Sequence, residues 1–222
     1  MSTPDLETRQ RVMQAAAELF ADHGFANVTV RRICAAAHAN VAAVNYHFGD
    51  KAGLYRIVVD TAIATMRETN ELSQRAGDGG TPEDQIRAFV TTFMRRLTGR
   101  GPHTWIHKLM ARELERPGDA LDQVVRDVIQ PRLDYLAAAT AGVMRLPPSD
   151  PRVMRAVASL HGQCLLFVRK VPPSVARTWG GMAADPDAVA EHITEFSLGG
   201  MRAVAASRPL TEHSSASGSL KG

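Results

Sequence analysis

The sequence predicts an all-α protein of about nine helices, and three observations support that fold class. Alanine, the strongest helix former, recurs in triplets at 15–17 and 35–37. Apolar residues return every three or four positions along most of the chain, which is the period of a helix with one buried face. No segment shows the strict alternation of apolar and polar residues that a half-buried strand requires.

The composition is typical of a globular protein without disulfides. Of the 222 residues, 45% are hydrophobic and 22% are charged. The two cysteines, Cys34 and Cys164, each lie in an apolar run, so we expect buried free thiols in a reducing compartment. No apolar run reaches the roughly 18 residues that span a membrane, and Asp5 and Glu7 do not fit a signal peptide. We therefore expect a cytoplasmic protein with no membrane partner.

Residues suited to cap helices divide the N-terminal part of the chain. Thr29, Asn40 and Asp50 each precede a helical segment and carry a side-chain oxygen that can accept from its first backbone N–H groups. Gly24 ends the helix before them. The predicted helices occupy residues 8–23, 30–37 and 41–48, with a longer fourth helix that begins at 51.

Turn-forming residues separate the remaining helices. The densest group is Gly-Asp-Gly-Gly-Thr-Pro at 77–82. Pro131 is expected to kink the seventh helix, and the polar tail at 209–222 is expected to be disordered. Apolar stripes predict the later helices over residues 86–97, 103–115, 121–136, 153–167 and 189–204, with an irregular segment at 174–185.

The second and third helices have the spacing of a helix-turn-helix motif over residues 29–48. They are short, a three-residue break at 38–40 separates them, and a longer helix follows. Net charge does not locate a DNA-binding surface. The whole chain carries +3 with a pI of about 9.1, and residues 1–60 hold six basic and six acidic side chains. A positive face must therefore come from the placement of those residues.

The residues of this motif resemble the N-terminal domain of the TetR family of transcription regulators. The stretch at 46–54, Tyr-His-Phe-Gly-Asp-Lys-Ala-Gly-Leu, is similar to that family's signature. The resemblance implies a DNA-binding domain at 6–66, a helical effector-binding and dimerisation domain at 67–208, and the tail at 209–222. The matching positions are Phe20, Gly24, Phe25, Thr29, Ile33, Ala37, Tyr46, His47, Phe48, Lys51 and Leu54.

In that family the third helix enters the major groove of DNA. The resemblance implies that Tyr46, His47 and Lys51 bind flanking phosphates and so orient the protein. It also implies that Thr29 caps the second helix, whose exposed N–H groups can face a phosphate.

The outward face of the third helix would then contact base edges. With Val41, Val44 and Phe48 facing the core, Asn45 can pair with an adenine edge, and neighbouring alanine methyl groups can contact a thymine methyl group. Arg31 and Arg32 are placed to reach the backbone or an adjacent base, although exposed arginines on a helix are often only solvated. The predicted DNA contacts are Thr29, Arg31, Arg32, Asn40, Ala42, Ala43, Asn45, Tyr46, His47 and Lys51.

Three positions depart from the family pattern. His38 and Ala39 stand where a Gly-Val pair is usual, and the glycine position requires a positive φ that histidine tolerates better than most residues. Asn45 stands where an aromatic residue is common, so the operator preference of relatives does not transfer to this chain.

The resemblance also implies a homodimer and an effector pocket in the second domain. The helices at 151–170 and 186–206 would form the dimer interface, where Ser159, Gly162, Gly199 and Gly200 allow close approach; alternatively, the glycines mark bends within one subunit. A lipophilic or aromatic effector needs an apolar pocket with a few polar groups, although ordinary core packing would also explain each candidate. The candidates are Phe93, Trp105, Met110, Tyr135, His161, Gln163, Phe167 and Trp179.

These inferences predict a repressor that a small-molecule effector releases from a palindromic operator. The alternatives are a DNA-binding regulator that responds to a protein partner or to no ligand, and an all-helical enzyme with His161 and Cys164 as base and nucleophile. No Gly-rich phosphate loop or nucleophile elbow supports an enzyme. His103 and His107 are spaced to share a metal but lack a third ligand, so we expect no metal and no cofactor.

Overall fold

A computed structural model describes residues 3–98, 104–115, 121–168 and 185–207. All regular structure in those ranges is helical, which confirms the all-α prediction. The helices are α1 (Thr3–His23), α2 (Val30–Ala37), α3 (Val41–Phe48), α4 (Lys51–Gly77), α5 (Pro82–Thr98), α6 (Ile106–Glu115), α7 (Leu121–Val124), α8 (Gln130–Met144), α9 (Pro151–Val168) and α10 (Pro186–Ala206), with a π-helical segment at Val125–Ile129 between α7 and α8.

The π-helical segment occupies the place where the sequence predicts a kink. Pro131 is the second residue of α8, directly after this segment. Because proline has no N–H and its ring crowds the carbonyl four residues earlier, an ordinary α-helical turn cannot form there. The wider π turn keeps 121–144 helical throughout, so the irregularity precedes the proline.

Helices α1 to α3 form an N-terminal head around a closely packed core. The fully buried residues Val12, Phe20, Ile33 and Val44 belong to it, together with Leu54 of α4. This core also includes residues from beyond the turn-rich segment at 77–82, namely Trp105, Ile106, Leu109, Val124 and Val128. Helix α6 and the π-helical segment therefore complete the core of the head.

A second core lies between α5, α8, α9 and α10. Its fully buried members include Ile86, Leu136, Leu160 and Ile193, one from each helix. Helix α4 runs unbroken from the head past the predicted domain boundary at 66 and packs along α5. A domain division at that boundary stays a prediction.

Two predictions lie on parts of the chain outside the described ranges, the irregular segment at 174–185 (apart from residue 185) and the tail at 209–222. In the described part, no helix combines the length and apolarity needed to cross a membrane.

The break between α2 and α3 has the backbone that the sequence predicts. His38 adopts φ 50° and ψ 48°, in the left-handed region. The N–H of Ala39 donates to the carbonyl of Cys34 at 3.0 Å, and the N–H of His38 donates to that of Ala35 at 3.4 Å. This pattern is a Schellman motif at the C-terminus of α2, in which glycine normally fills the position that His38 occupies here.

We expect His38→Gly to stabilise the protein. Glycine occupies the left-handed region without the steric cost of a Cβ atom, which is about 1 kcal/mol, so the free energy of unfolding should rise by up to that amount. His38→Val should lower it by a similar amount or more. Urea denaturation followed by circular dichroism measures both, and equal stability of the glycine and valine variants would contradict the assigned backbone.

Candidate functional site

Side-chain caps fix the N-termini of the three helices that follow α1. The Thr29 hydroxyl accepts from the N–H of Arg32 at 3.2 Å, and Asn40 Oδ1 accepts from the N–H of Ala43 at 2.7 Å. Asp50 Oδ1 accepts from the N–H of Gly53 at 2.6 Å. All three capping residues predicted from the sequence therefore act as caps, and they set where α2, α3 and α4 begin.

Helix α3 presents a small polar face to solvent. Val44 and Phe48 are buried beneath it, whereas Asn45 and Ala42 are exposed and Tyr46 keeps 75% of its surface accessible. Ala43 is half-buried. Val41 is 43% exposed, so the expectation that it faces the core is wrong. At the first position of a short helix, Val41 lies beyond the edge of the core that Val44 and Phe48 cover.

Lys51 joins the start of α4 to the loop between α1 and α2. Its Nζ donates to the carbonyl oxygens of Phe25 at 3.0 Å and Val28 at 2.9 Å, and it lies 4.2 Å from the centroid of the Phe25 ring. An ammonium group has three donors. Two of them hold the loop, which leaves the third for another acceptor.

His47 is turned towards α1. Its side chain is only 4% exposed, and Nε2 lies 3.1 Å from Asp5 Oδ1. The Tyr46 ring packs edge-on against the imidazole, with centroids 4.9 Å apart. Tyr46 and His47 therefore form one unit, in which the tyrosine is accessible and the histidine is held by a carboxylate.

The two arginines of α2 differ in their surroundings. Both are exposed. Arg32 lies 2.7 Å from His23 Nε2, measured from its terminal nitrogen. Arg31 makes no hydrogen bond or ion pair with any described residue, so its guanidinium is free to meet an external anion.

The eight candidate pocket residues do not form a single group. Phe93, Tyr135, His161 and Phe167 lie in or against the second core. Trp105 and Met110 belong instead to the core of the head, because α6 packs on α1. Trp179 lies outside the described residues.

Gln163 faces away from the second core. It lies two positions after His161 on α9, about 200° around the helix, and its Nε2 donates to Ser197 Oγ of α10 at 3.2 Å. Together the two side chains line an open groove of about 620 Å³ between α9 and α10.

The chain matches two families of known proteins. The family described as "Bacterial regulatory proteins, tetR family" matches residues 12–58. The family described as "HTH-type transcriptional dual regulator CecR, C-terminal domain" matches residues 82–201, which is more than half of the chain. The chain belongs to the TetR family. This TetR-family protein is accordingly a DNA-binding transcription regulator and not an enzyme.

Individual relatives agree with this assignment. The dual regulator CecR of Shigella flexneri is 27% identical over 72% of this chain and 75% of its own length. The regulatory protein RaaS of Mycobacterium tuberculosis is 25% identical over 73% of this chain and 71% of its own. Among solved structures, AibR in complex with isovaleryl coenzyme A and operator DNA superimposes with a TM-score of 0.63 at 17% identity, covering 86% of this chain and 96% of that one.

The thiol of Cys164 and the imidazole of His161 are both poorly suited to act as a nucleophile and its base in this TetR-family protein. Burial raises the pKa of Cys164 to about 12, and burial together with the charge of Arg132 lowers the pKa of His161 to about 4. The thiol is therefore protonated at neutral pH, and the imidazole is a poor base for removing its proton.

Sequence reasoning missed two buried polar residues, Arg132 of α8 and Asn70 of α4. Only 8% of Arg132 and 7% of Asn70 are exposed. A signal was available, because Val128, Arg132 and Leu136 follow one another at intervals of four and share one helix face. An arginine within an apolar stripe therefore differs from a surface arginine. In the same way, Asn70 lies four residues after the apolar Met66 on α4.

We expect Lys51→Met to lower the free energy of unfolding by about 2 kcal/mol, because two carbonyl oxygens lose a charged donor. Arg31→Met, which also removes one positive charge from the head, should leave stability unchanged within about 0.5 kcal/mol. Chemical denaturation of both variants measures the difference. Equal midpoints would contradict the structural role of Lys51.

Proposed function

We propose that this protein is a repressor that binds a palindromic operator as a homodimer and dissociates when a small-molecule effector binds its C-terminal domain. The exposed face of α3 carries the proposal. Two buried side chains, Val44 and Phe48, anchor the helix, and Asn40 caps its start, so that Asn45 and Tyr46 project from a fixed support. A helix presented in this way fits the major groove.

We assign base contacts to the middle of α3. The amide of Asn45 can pair with N6 and N7 of adenine, and the methyl groups of Ala42 and Ala43 can contact a thymine methyl group. Because alanine side chains are short, they let the helix backbone come close to the base edges. Asn40 supports these contacts by fixing the direction of the helix.

Phosphate contacts would surround this centre. Tyr46 and Arg31 are exposed and available, and the N–H groups at the start of α2, behind Thr29, favour an anion. Lys51 can offer its third donor to a phosphate. His47 can bind a phosphate only if its Nε2 leaves Asp5 or is shared between Asp5 and the phosphate. Arg32 reaches the backbone only after leaving His23.

The DNA-binding role is tested by selecting a binding site from genomic fragments and measuring its affinity by fluorescence anisotropy. We expect Asn45→Ala to weaken specific binding at least tenfold while leaving binding to random DNA unchanged, because one bidentate base contact contributes about 1–3 kcal/mol of discrimination. Gln74→Ala, which removes an exposed amide from the far part of α4, is the matched control. Equal discrimination by both variants would contradict the role assigned to α3.

The dimer would form through α9 and α10. Each carries large apolar side chains that are exposed in the single chain, among them Leu166 at 45%, Phe196 at 65% and Val204 at 42%. Gly162, Gly199 and Gly200 have open space where a side chain would extend, so another helix can approach closely. Since an apolar surface of this kind is normally covered, a second copy of the same face fits it, as in a two-fold symmetric interface.

We expect Phe196→Glu to convert the dimer to a monomer, because two carboxylates would be buried in a symmetric apolar contact. Leu114→Glu changes another exposed apolar residue, 59% accessible on α6, and should leave the dimer intact. Sedimentation velocity of both variants provides the measurement. A monomeric Leu114→Glu beside a dimeric Phe196→Glu would place the interface elsewhere.

An effector would act by preferring one arrangement of the two heads. A ligand that binds more tightly to the arrangement unable to span both half-sites weakens operator binding by that difference in affinity. The solved AibR complex, with its acyl coenzyme A and operator DNA, supports the compatibility of this fold with both partners. Since chromosomal DNA is the proposed target, we place the protein in the cytoplasm.

A further inference from the structure

Arg132 places a positive charge inside the second domain. Its guanidinium has five N–H donors, and Nε donates to Asn70 Oδ1 at 2.9 Å. The Phe93 ring centroid lies 4.9 Å from Cζ. Asn70 is itself fixed, since its Nδ2 donates to the carbonyl of Val128 at 3.1 Å. The side chain is therefore oriented by neutral groups.

No described residue supplies a counter-charge. Arg132 forms no ion pair with a described carboxylate, and burial lowers its pKa to about 10 without an opposing contribution from any acid. Beyond the described ranges the sequence contains two acidic residues, Asp119 and Glu212. An unpaired buried charge costs several kcal/mol, so the free protein carries a cation that an anion would stabilise.

His161 provides a second donor close to this cation. Its ring centroid lies 5.3 Å from that of Phe93, and its Nε2 is buried with no hydrogen-bond partner. The imidazole is neutral at pH 7, because burial and the charge of Arg132 lower its pKa to about 4. A neutral imidazole carries one N–H, which can donate to an oxygen.

We propose that Arg132 and His161 bind the carboxylate of an amphipathic effector, whose apolar body packs into the second core. The proposal rests on the effector response proposed above and names the chemical class of that effector. Arg132 would form the charged contact, with two parallel N–H donors on the two carboxylate oxygens. His161 would add one hydrogen bond, and Asn70 positions the guanidinium.

Charge matching favours a carboxylate over a phosphate. Arg132 supplies one positive charge and neutral His161 supplies none, so a single negative charge is balanced. A phosphate monoester carries nearly two negative charges at pH 7, and the second would be buried without a partner. The second core, which includes Phe89, Phe93 and Leu160, is apolar, which suits a hydrocarbon or aromatic body.

The first arm of the test compares three ligands of equal chain length on the intact wild-type protein. Isothermal titration calorimetry measures the dissociation constants of dodecanoate, dodecan-1-ol and dodecyl phosphate below their micellar concentrations. We expect dodecanoate to bind at least tenfold more tightly than either of the others. Equal binding of acid and alcohol, tighter binding of the phosphate, or no binding of dodecanoate would overturn the proposal.

The second arm assigns the selectivity to residues. Arg132→Met should weaken dodecanoate binding at least tenfold and leave dodecan-1-ol unchanged, with a smaller loss in Arg132→Lys, which keeps the charge but not the bidentate geometry. His161→Phe should weaken dodecanoate several-fold. Arg126→Met, which removes an exposed arginine six residues earlier, and Asp119→Asn should both behave as wild type. An altered dodecanoate affinity in Asp119→Asn would mean that Asp119 is the partner of Arg132.

Operator binding is measured separately, which separates the two proposals. If dodecanoate binds through Arg132 but leaves operator affinity unchanged, the carboxylate site stands and the effector response fails. If the protein shows no specific DNA site, the proposed repressor function fails whatever the calorimetry gives. Loss of carboxylate selectivity with normal operator binding would overturn the carboxylate site alone.

Discussion

The packing of α6 against the C-terminal end of α1 joins the DNA-binding head to the later part of the chain, beside the continuous helix α4. The last carbonyl groups of a helix have no partner within it. Here Arg112 of α6 donates from Nε to the carbonyl of Ala21 at 2.7 Å and from a terminal nitrogen to that of Asp22. A cation at this end is also favoured by the helix dipole. Tyr55 of α4 donates to Glu113 of α6, and Leu109 is buried beneath these polar contacts.

This arrangement makes the packing of the head depend on α6 and the π-helical segment, which come later in the chain. Helix α6 belongs to the part of the chain that matches the CecR C-terminal family, yet its apolar face completes the core under α1 and α4. The π-helical segment also contributes to the core of the head, because Val128 is buried there. The carbonyl of Val128 accepts from Asn70, and Asn70 in turn positions Arg132. A change around Arg132 therefore has a short physical path to the head.

Local signals predicted the head well, and tertiary contacts limited the rest. The caps at Thr29, Asn40 and Asp50 and the positive φ at His38 were predictable because each depends on the chemistry of a few neighbouring residues. Trp105 packs in the core of the head, and Gln163 lines the groove between α9 and α10. Both placements depend on how helices distant in sequence pack together, which a helical period of 3.6 residues does not specify. The partners of Lys51 and His47 were hidden for the same reason, since each bonds to residues more than 20 positions away.

We expect the head to have no stability independent of α6, because residues of α6 complete its core. Native-state hydrogen exchange of the wild type and of Arg112→Met tests it most directly. The account predicts faster exchange throughout α1 to α3 as well as α6 in the variant, with the protection of α9 and α10 unchanged. Faster exchange confined to α6, with the head as protected as in the wild type, would contradict it.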